Sequence, residues 1–342
     1  MSDNIKALID WYAISGRTLP WRDTGDPYLI WVSEVILQQT RVIQGKPYYQ
    51  RFIKRFPDIQ SLAAASQDEV LKNWEGLGYY ARARNMHKAA GIICSQYQGK
   101  FPDSLDLLQQ LPGIGPYTSR AIASFAFHLP HAVLDGNVFR ILSRYFGDDT
   151  CIDLPASRKY YQQLADQMMH HHPSSVFNQA MMDLGATICK PQSPACDKCP
   201  LSTSCKACLS SLQASYPVRK QKAIRPVRGV NAMFLLHDDT TFWIRQRPTK
   251  GLWGGLFEIP WMYTEEKDTE GIYVPSQAIE VGRVQHDFTH FQMDMRIFQY
   301  QVPTDFSLIA GFRIHIGEIQ KYAFTKATHK IFDLLQNKNI VK

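Results

Sequence analysis

Long apolar runs are missing from this sequence. None of its segments approaches the roughly 20 apolar residues that a membrane-spanning helix needs. The first residues follow an amphipathic helical pattern and lack the apolar core of a signal peptide. We therefore expect a soluble, cytoplasmic protein without a membrane partner. With 342 residues, 45% of them hydrophobic and 20% charged, the chain is long enough for two or three globular domains.

Acidic residues are missing from one long stretch, residues 198–237, in a chain whose net charge is +7. The basic residues of this stretch are Lys198, Lys206, Arg219, Lys220, Lys222, Arg225 and Arg228. A solvated linker could carry such a run, but contact with phosphates accounts better for charge of one sign. The distribution is therefore typical of a nucleic-acid-binding protein.

Strand-like alternation is scarce between residues 3 and 207, where apolar residues recur at three- and four-residue spacing. This pattern predicts a mainly α N-terminal region. An extended basic linker follows over residues 216–226, and a C-terminal α+β domain begins near residue 229. The segments of that domain that we predict as strands are 230–236, 242–246, 257–259 and 293–302, and a helix is predicted over 322–335.

A glycine-rich hairpin divides two predicted helices at residues 111–118. Gly113 and Gly115 permit the positive φ values of a tight turn, and Pro116 suits the first position of a helix. Backbone N–H groups at such a helix N-terminus form an anion site that a DNA phosphate could approach. Downstream, Asp135 precedes apolar residues at helical spacing and is predicted to be an N-cap. Alternatively, both features are an ordinary turn and an ordinary cap.

Four of the seven cysteines lie within one short segment, at Cys189, Cys196, Cys199 and Cys205. Such a cluster favours a metal site in a reducing compartment over a disulfide framework. Four thiolates could bind one tetrahedral zinc ion or one iron–sulfur cubane, and their spacing alone does not separate the two. Cys94, Cys151 and Cys208 fall outside the pattern and are expected to be small apolar residues.

Glu34 lies in an apolar segment, between Trp31 and Leu37. If its side chain is buried, the carboxyl should have a raised pKa and carry a proton near neutral pH. A protonated carboxyl is what a general acid requires. The alternative is that Glu34 points to solvent.

Several of these motifs resemble a known family. The hairpin followed by Asp135 resembles the helix–hairpin–helix signature of base-excision DNA glycosylases. Within that superfamily, five segments look like MutY adenine DNA glycosylases: residues 33–40, 76–85, 134–138, 177–186 and the cysteine segment. The 6-2-5 cysteine spacing resembles the [4Fe–4S] loop of endonuclease-III-type glycosylases, which favours that cluster over zinc. The resemblance implies a monomer in the bacterial cytosol or nucleoid, acting on double-stranded DNA with A:8-oxoguanine or A:G mismatches.

The resemblance also implies domain boundaries. It divides the chain into a catalytic region over 1–213, a linker over 214–228 and a Nudix-like lesion-recognition domain over 229–342. Within the catalytic region it implies an iron–sulfur subdomain, formed by 1–22 and about 131–213, and a six-helix barrel over about 23–130. The Nudix pyrophosphatase motif with its carboxylate metal ligands is missing, so we expect this domain to recognise its target without hydrolysing nucleotides.

The resemblance assigns the chemistry to four residues. It implies that Glu34 protonates N7 of adenine, that Asp135 stabilises the oxocarbenium-like sugar, and that Tyr117 and Asn137 orient Asp135 and the attacking water. Bifunctional relatives carry a lysine where this chain has Tyr117. Without that amine no Schiff base forms there, so we expect base removal that leaves the strand intact.

The remaining site residues are implied in the same way. An everted adenine would occupy a pocket formed by Leu19, Trp21, Arg22 and Gln179, although Leu19 and Trp21 could equally be plain core. Gln38, Gln39 and Tyr79 would fill the gap in the duplex. The loop Phe288-Thr289-His290 would contact 8-oxoguanine, with Thr where the family usually has Ser. The alternative for this loop is a strand turn that binds no ligand.

Two other functions remain open for the sequence as a whole. One is a catalytically silent, metal-stabilised DNA-binding protein, and the other is a Nudix-like hydrolase of oxidised nucleotides. The missing metal ligands disfavour the second.

Overall fold

The structure is a computed structural model that describes residues 2–22, 24–221, 224–265 and 273–340. Lys222 of the basic stretch and the predicted boundaries at residues 1, 23 and 342 lie outside these ranges. The chain forms two compact units. The first comprises residues 1–49, 58–60 and 89–222, and the second comprises residues 50–57, 61–88 and 223–342. The domain boundaries implied by the resemblance stay predictions.

Helices follow one another through the N-terminal region, as the apolar spacing predicts. They are α1 (Ser2–Ser15), α2 (Pro27–Leu37), α3 (Val42–Arg55), α4 (Ile59–Ala64), α5 (Gln67–Trp74), α6 (Ala81–Gln96), α7 (Leu105–Gln110), α8 (Pro116–Ala126), α9 (Gly136–Phe146), α10 (Pro155–Met169), α11 (Ser174–Thr187) and α12 (Lys206–Leu209). In the described residues no helix combines the length and the apolar character needed to cross a membrane.

Local capping explains where the helices of the site begin. Asp26 accepts a hydrogen bond from the Tyr28 amide at 2.8 Å and starts α2, and Pro27 occupies its first turn. Asp135 caps α9, as predicted, and Pro116 opens α8. In the first unit, α1, α9, α10 and α11 pack around a core that includes Leu8, Leu142 and Phe177.

The C-terminal region has the predicted α+β fold. Its elements are β1 (Val227–Leu236), β2 (Thr241–Gln246), β3 (Phe257–Glu258), β4 (Trp261–Tyr263), β5 (Ile279–Asp287), β6 (Gln292–Gln301), β7 (Gly311–His315) and α13 (Lys326–Asn337). They form one mixed sheet in the order β3-β2-β1-β6-β5, in which β1 and β6 are parallel, β4 pairs with β1 and β7 pairs with β2.

Alternation along β1 buries both faces of the sheet. Phe234 faces a core that α13 completes with Ile331 and Phe332, and Leu235 packs in a smaller cluster with Trp243. The helix predicted over 322–335 begins later, at Lys326, because Thr325 accepts a hydrogen bond from the Thr328 amide at 3.0 Å and caps it. The mainly α region followed by an α+β domain confirms the predicted fold class.

Candidate active site

A cavity of about 530 Å³, counting its opening to solvent, lies in the first unit. All four residues predicted to form the adenine pocket line it, and so does Glu34; these lining residues are Leu19, Trp21, Arg22, Gln179 and Glu34. Leu19 and Trp21 are 8% and 6% exposed, so they belong to the core and to the cavity wall at once.

Glu34 faces this cavity from α2. Its side chain is buried, which excludes the alternative of a solvent-facing glutamate. The pKa of Glu34 is raised to about 7, chiefly by burial and also by the nearby charge of Asp135, although the hydrogen bond from Tyr117 and the charge of Arg22 oppose the rise. A substantial fraction of Glu34 is therefore protonated at neutral pH, as a general acid requires.

Tyr117 contacts Glu34 directly. Its hydroxyl donates a hydrogen bond of 2.6 Å to Oε2 of the carboxyl group. The resemblance implies that Tyr117 orients Asp135, but in this structure its hydroxyl donates to Glu34. One oxygen of Glu34 is thereby occupied, which leaves Oε1 as the atom to carry the proton.

Asp135 is held at the N-terminus of α9. Its carboxylate accepts hydrogen bonds from the Val138 amide at 2.8 Å and from Nδ2 of Asn137 at 2.9 Å. Burial raises the pKa of Asp135, while these hydrogen bonds and the charge of Arg140 oppose that rise by favouring the ionised form. Asp135 lies close enough to Glu34 for its charge to contribute to the raised pKa of Glu34.

Arg140 connects this site to the cysteine segment. Its guanidinium donates to Oδ1 of Asn137 at 2.9 Å and to the backbone oxygens of Gly185 and Cys189 at 2.8 Å each. A Cβ at Gly185 would lie 2.5 Å from the Cβ of Asn137, so only glycine allows α11 to pack this closely against α9. Arg140 and Gly185 thereby fix the position of Asn137.

Ion pairs and hydrogen bonds order the polar wall of the cavity. The guanidinium of Arg22 forms two hydrogen bonds of 2.7 and 2.6 Å with the buried carboxylate of Asp183, and it donates to the Arg17 carbonyl at 2.9 Å. Although burial alone would raise it, the pKa of Asp183 is lowered by its bonds to Arg22 and Arg17. Oε1 of Gln179 accepts the hydroxyl of Tyr12 at 2.5 Å, so the amide NH₂ group is what Gln179 can offer to a base.

The hairpin lies between α7 and α8. Gly113 has φ +77°, as a tight turn requires, but Gly115 is extended and serves as the N-cap of α8. A Cβ at Gly115 would meet no atom within 4 Å, so the backbone there is open to a ligand. Gln38 donates to Oγ1 of Thr118 on α8 at 3.2 Å, and the neighbouring Gln39 is exposed with φ +57°.

The other predicted contact residues belong to the second unit. Tyr79 has φ +48° and a half-exposed ring, and its hydroxyl lies 3.2 Å from the hydroxyl of Thr289. Thr289 and His290 are exposed in the turn that joins β5 to β6, and Phe288 stacks on Phe291 at 4.3 Å. Tyr79 and Thr289 therefore lie in contact, and Phe288 packs the loop against the core.

The four clustered cysteines line one mostly apolar cavity of about 310 Å³, counting its opening to solvent. Nη1 of Arg144 lies 3.4 Å from Sγ of Cys189, and Nε2 of Gln213 lies 3.7 Å from Sγ of Cys196. Cys208, which the sequence pattern left aside, lines the same cavity. In the described part of the chain, no three Cys, His, Asp or Glu side chains are grouped to hold a single metal ion.

The chain is similar to the adenine DNA glycosylase of Buchnera aphidicola subsp. Acyrthosiphon pisum (strain APS), with 34% identity over 303 residues that cover 86% of each chain. This chain belongs to the adenine DNA glycosylase family. The adenine DNA glycosylase of Buchnera aphidicola subsp. Schizaphis graminum (strain Sg) is 37% identical over 295 residues, or 84% of each chain.

Two family models and a solved structure agree with this assignment. Residues 32–167 match the HhH-GPD superfamily base excision DNA repair proteins, and residues 231–334 match the NUDIX domain. A thermostable thymine-DNA glycosylase superposes with a TM-score of 0.57 and 28% identity, over 61% of this chain and 96% of that one. The protein is therefore a DNA N-glycosylase that removes adenine in base excision repair.

Sequence reasoning did not single out several residues that order this adenine DNA glycosylase site. They are Tyr12, Arg140, Arg144, Asp183 and Cys208. Asp183 lies inside the family-like segment 177–186, where a carboxylate among apolar residues was a signal comparable to that of Glu34. Tyr12, Arg140 and Arg144 have partners far away in the chain, and Cys208 lies outside the cysteine spacing pattern.

Proposed function

We propose that this enzyme removes adenine paired with 8-oxoguanine, or with guanine, from duplex DNA, and that it acts as a monomer. The observation that carries the 8-oxoguanine preference is the contact between Tyr79 and Thr289. An exposed aromatic ring can stack on a base, and a neighbouring hydroxyl can donate to or accept from its edge. The remaining N-terminal contacts follow as proposals: the backbone at Gly113 and Gly115 binds a phosphate, and Gln38 and Gln39 fill the gap left by the everted adenine.

In the proposed mechanism, Glu34 acts on the adenine side of the N-glycosidic bond and Asp135 acts on the sugar side. Adenine is a poor leaving group as an anion, so Oε1 of Glu34 gives its proton to N7. The sugar then develops positive charge, which the carboxylate of Asp135 stabilises. Tyr117 holds Glu34 in position, and Asn137 holds Asp135 and the water that completes hydrolysis. Arg22 and Gln179 contact the base within the cavity.

We also propose that the enzyme leaves the sugar-phosphate strand intact. Strand cleavage by Schiff-base chemistry needs an amine at the sugar. Tyr117 stands where bifunctional relatives carry lysine, and lysine is not among the described residues that line the cavity. The phenol of Tyr117 cannot form an imine.

The decisive assay uses a duplex with one adenine opposite 8-oxoguanine and a second duplex with adenine opposite guanine. We expect adenine release from both, faster from the first, with strand breaks that appear only after alkali and no covalent product after borohydride treatment. Release of thymine glycol with no adenine release would contradict the proposal. So would equal affinity for damaged and undamaged duplex without base release, or hydrolysis of 8-oxo-dGTP as the only activity.

We further propose that Cys189, Cys196, Cys199 and Cys205 bind a [4Fe–4S] cluster. The four side chains share one apolar cavity, and N–H groups of Arg144 and Gln213 lie beside two of the sulfurs, where they would stabilise thiolates. In a cubane each thiolate binds its own iron, so the sulfurs need not converge on a single point, as zinc would require. Bound there, the cluster would hold the basic loop around it in shape.

Purified enzyme is expected to be brown and to contain about four iron atoms and about four sulfides per chain. Replacing Cys199 with serine should lower the iron content and the thermal unfolding midpoint together, because the loop loses its cross-link. Replacing Cys151, which lies outside the cluster, with serine is the matched control and should leave the iron content unchanged. Colourless protein with about one zinc per chain would contradict the cluster.

A further inference from the structure

The turn that carries Tyr79 is held in an unusual conformation. Gly76 and Gly78 have φ +92° and +73°, which glycine adopts freely, but Tyr79 at φ +48° adopts a left-handed conformation that its Cβ disfavours. Such a conformation persists only where surrounding contacts impose it. On the helical side, the guanidinium of Arg82 lies 5.5 Å from the centre of the Tyr79 ring, and its Nη2 donates to the Gly78 carbonyl at 3.2 Å.

Glu75 connects the start of this turn to the C-terminal part of the same compact unit. It is the C-cap residue of α5, directly before Gly76. Its Oε1 accepts the Phe324 amide at 2.9 Å and lies 2.8 Å from Nε2 of His329, and its Oε2 accepts Nζ of Lys72 at 2.6 Å. The carboxylate therefore joins three groups, two of which lie about 250 residues away in the chain.

These contacts are more buried than a surface ion pair, and Lys72 makes a further hydrogen bond. The side chain of Glu75 is only 18% exposed, and Lys72 also donates to the Tyr322 carbonyl at 2.7 Å. Burial alone would raise the pKa of Glu75, but the hydrogen bonds from His329, Lys72 and Phe324 hold it below its usual value. The carboxylate is thus ionised at neutral pH, and both of its oxygens accept hydrogen bonds.

The segment that binds Glu75 begins at Phe324. It packs in the same core that the Thr289 loop contacts. Phe324 is completely buried and packs against Phe257 and Phe332 in that core. Phe288, next to Thr289, packs against the same core through Phe291. Tyr79, through Glu75, and Thr289, through Phe288, are therefore both positioned against the same core.

We infer that Glu75 is a positioning residue for reading the base opposite the target adenine. By fixing the turn to the C-terminal core, it sets the distance between the Tyr79 ring and the Thr289 hydroxyl. This inference rests on the proposed 8-oxoguanine preference. It predicts that Glu75 matters for discrimination between 8-oxoguanine and guanine, and not for the bond-breaking step.

The test compares full-length enzyme and its Glu75→Gln variant in single-turnover release of adenine opposite 8-oxoguanine and opposite guanine. Glutamine keeps the shape but loses the charge and one acceptor oxygen, so we expect the rate ratio between the two duplexes to fall about tenfold while the rate opposite guanine stays within about twofold. Glu69→Gln, on the same helix, breaks only an ion pair with Arg55 and should keep the wild-type ratio.

A double variant separates positioning from general destabilisation. If Glu75 acts through the Tyr79–Thr289 contact, Glu75→Gln adds no further loss of discrimination to Thr289→Ala. If Glu75→Gln protein does not fold, His329→Ala removes one of the three bonds and should lower the ratio in the same direction. An unchanged ratio, or an equal loss of rate on both duplexes, would overturn the inference. Wild-type enzyme without any preference for 8-oxoguanine would instead overturn the proposed function from which it starts.

Discussion

Replacing Glu34 with glutamine is expected to lower adenine release by about 10³-fold or more. Glutamine occupies the same volume and can still accept the hydroxyl of Tyr117 at its carbonyl oxygen. Its amide group, however, has no acidic proton to give to N7, so the leaving group departs as an anion. The measurement is single-turnover release of adenine from a duplex with adenine opposite 8-oxoguanine.

A control must show that Glu34→Gln impairs the bond-breaking step and leaves DNA binding intact. The Glu34→Gln variant should bind the same duplex with an affinity close to that of wild type, since no charge that contacts phosphate is removed. Glu69→Gln, the same exchange outside the cavity, should retain full activity. Activity of Glu34→Gln within about tenfold of wild type would show that another group protonates the base.

The pKa of Glu34 gives this prediction a second readout. Because the acid must be protonated and burial raises its pKa to about 7, the rate of wild-type enzyme should fall as pH rises through that value, by about tenfold per pH unit well above it. The sign follows for stability as well. A raised pKa stabilises the protein at low pH, so the free energy of unfolding should fall as pH rises from about 4.5, the ordinary pKa of glutamate, to about 7, and Glu34→Gln should remove that component.

Replacing Asp135 with asparagine is expected to lower the rate of adenine release by about 10²- to 10³-fold. The substitution keeps the N-cap, since the side-chain oxygen can still accept the Val138 amide. It removes the negative charge that faces the developing oxocarbenium ion, and it sets one amide NH₂ group against that of Asn137. The loss should therefore appear in the chemical step, measured under single-turnover conditions.

Binding and stability distinguish this result from misfolding. Asp135→Asn should bind the duplex at least as tightly as wild type, because a carboxylate near the DNA is removed, and its thermal unfolding midpoint should change by only a few degrees. Asp10→Asn, an exposed position of α1, should behave as wild type in both assays. Base release at the wild-type rate by Asp135→Asn would contradict the proposed mechanism even though the family assignment would stand.

The sequence predicted the local features of the site well. Asp135 caps α9 and Pro116 opens α8, because capping and proline effects depend on residues within one turn. Glu34 was singled out as a carboxyl among apolar neighbours along α2, and the structure decided that it is buried and does not point to solvent. The predicted pocket residues do line one cavity with Glu34, but their assignment came from the family resemblance and not from periodicity.

Other features could not be predicted because their causes are distant in the chain. The hydrogen bond from Tyr117 to Glu34 spans 83 residues, and that between Arg22 and Asp183 spans 161. The contact between Tyr117 and Glu34 was consequently not predicted, and the role of Tyr117 toward Asp135 stays a prediction. Gly115 has an extended backbone where a positive φ was expected, because its place as the N-cap of α8 decided its conformation.

The sequence by itself determined the two kinds of fold, the starts of the key helices and the chemical types available to the site, since periodicity and capping act over a few residues. Only the tertiary structure decided which groups meet. It buried Glu34 beside Tyr117, which sets its pKa, and brought Tyr79 to Thr289 across 210 residues of chain. Desolvation and long-range hydrogen bonds depend on the path of the whole backbone, which no local pattern encodes.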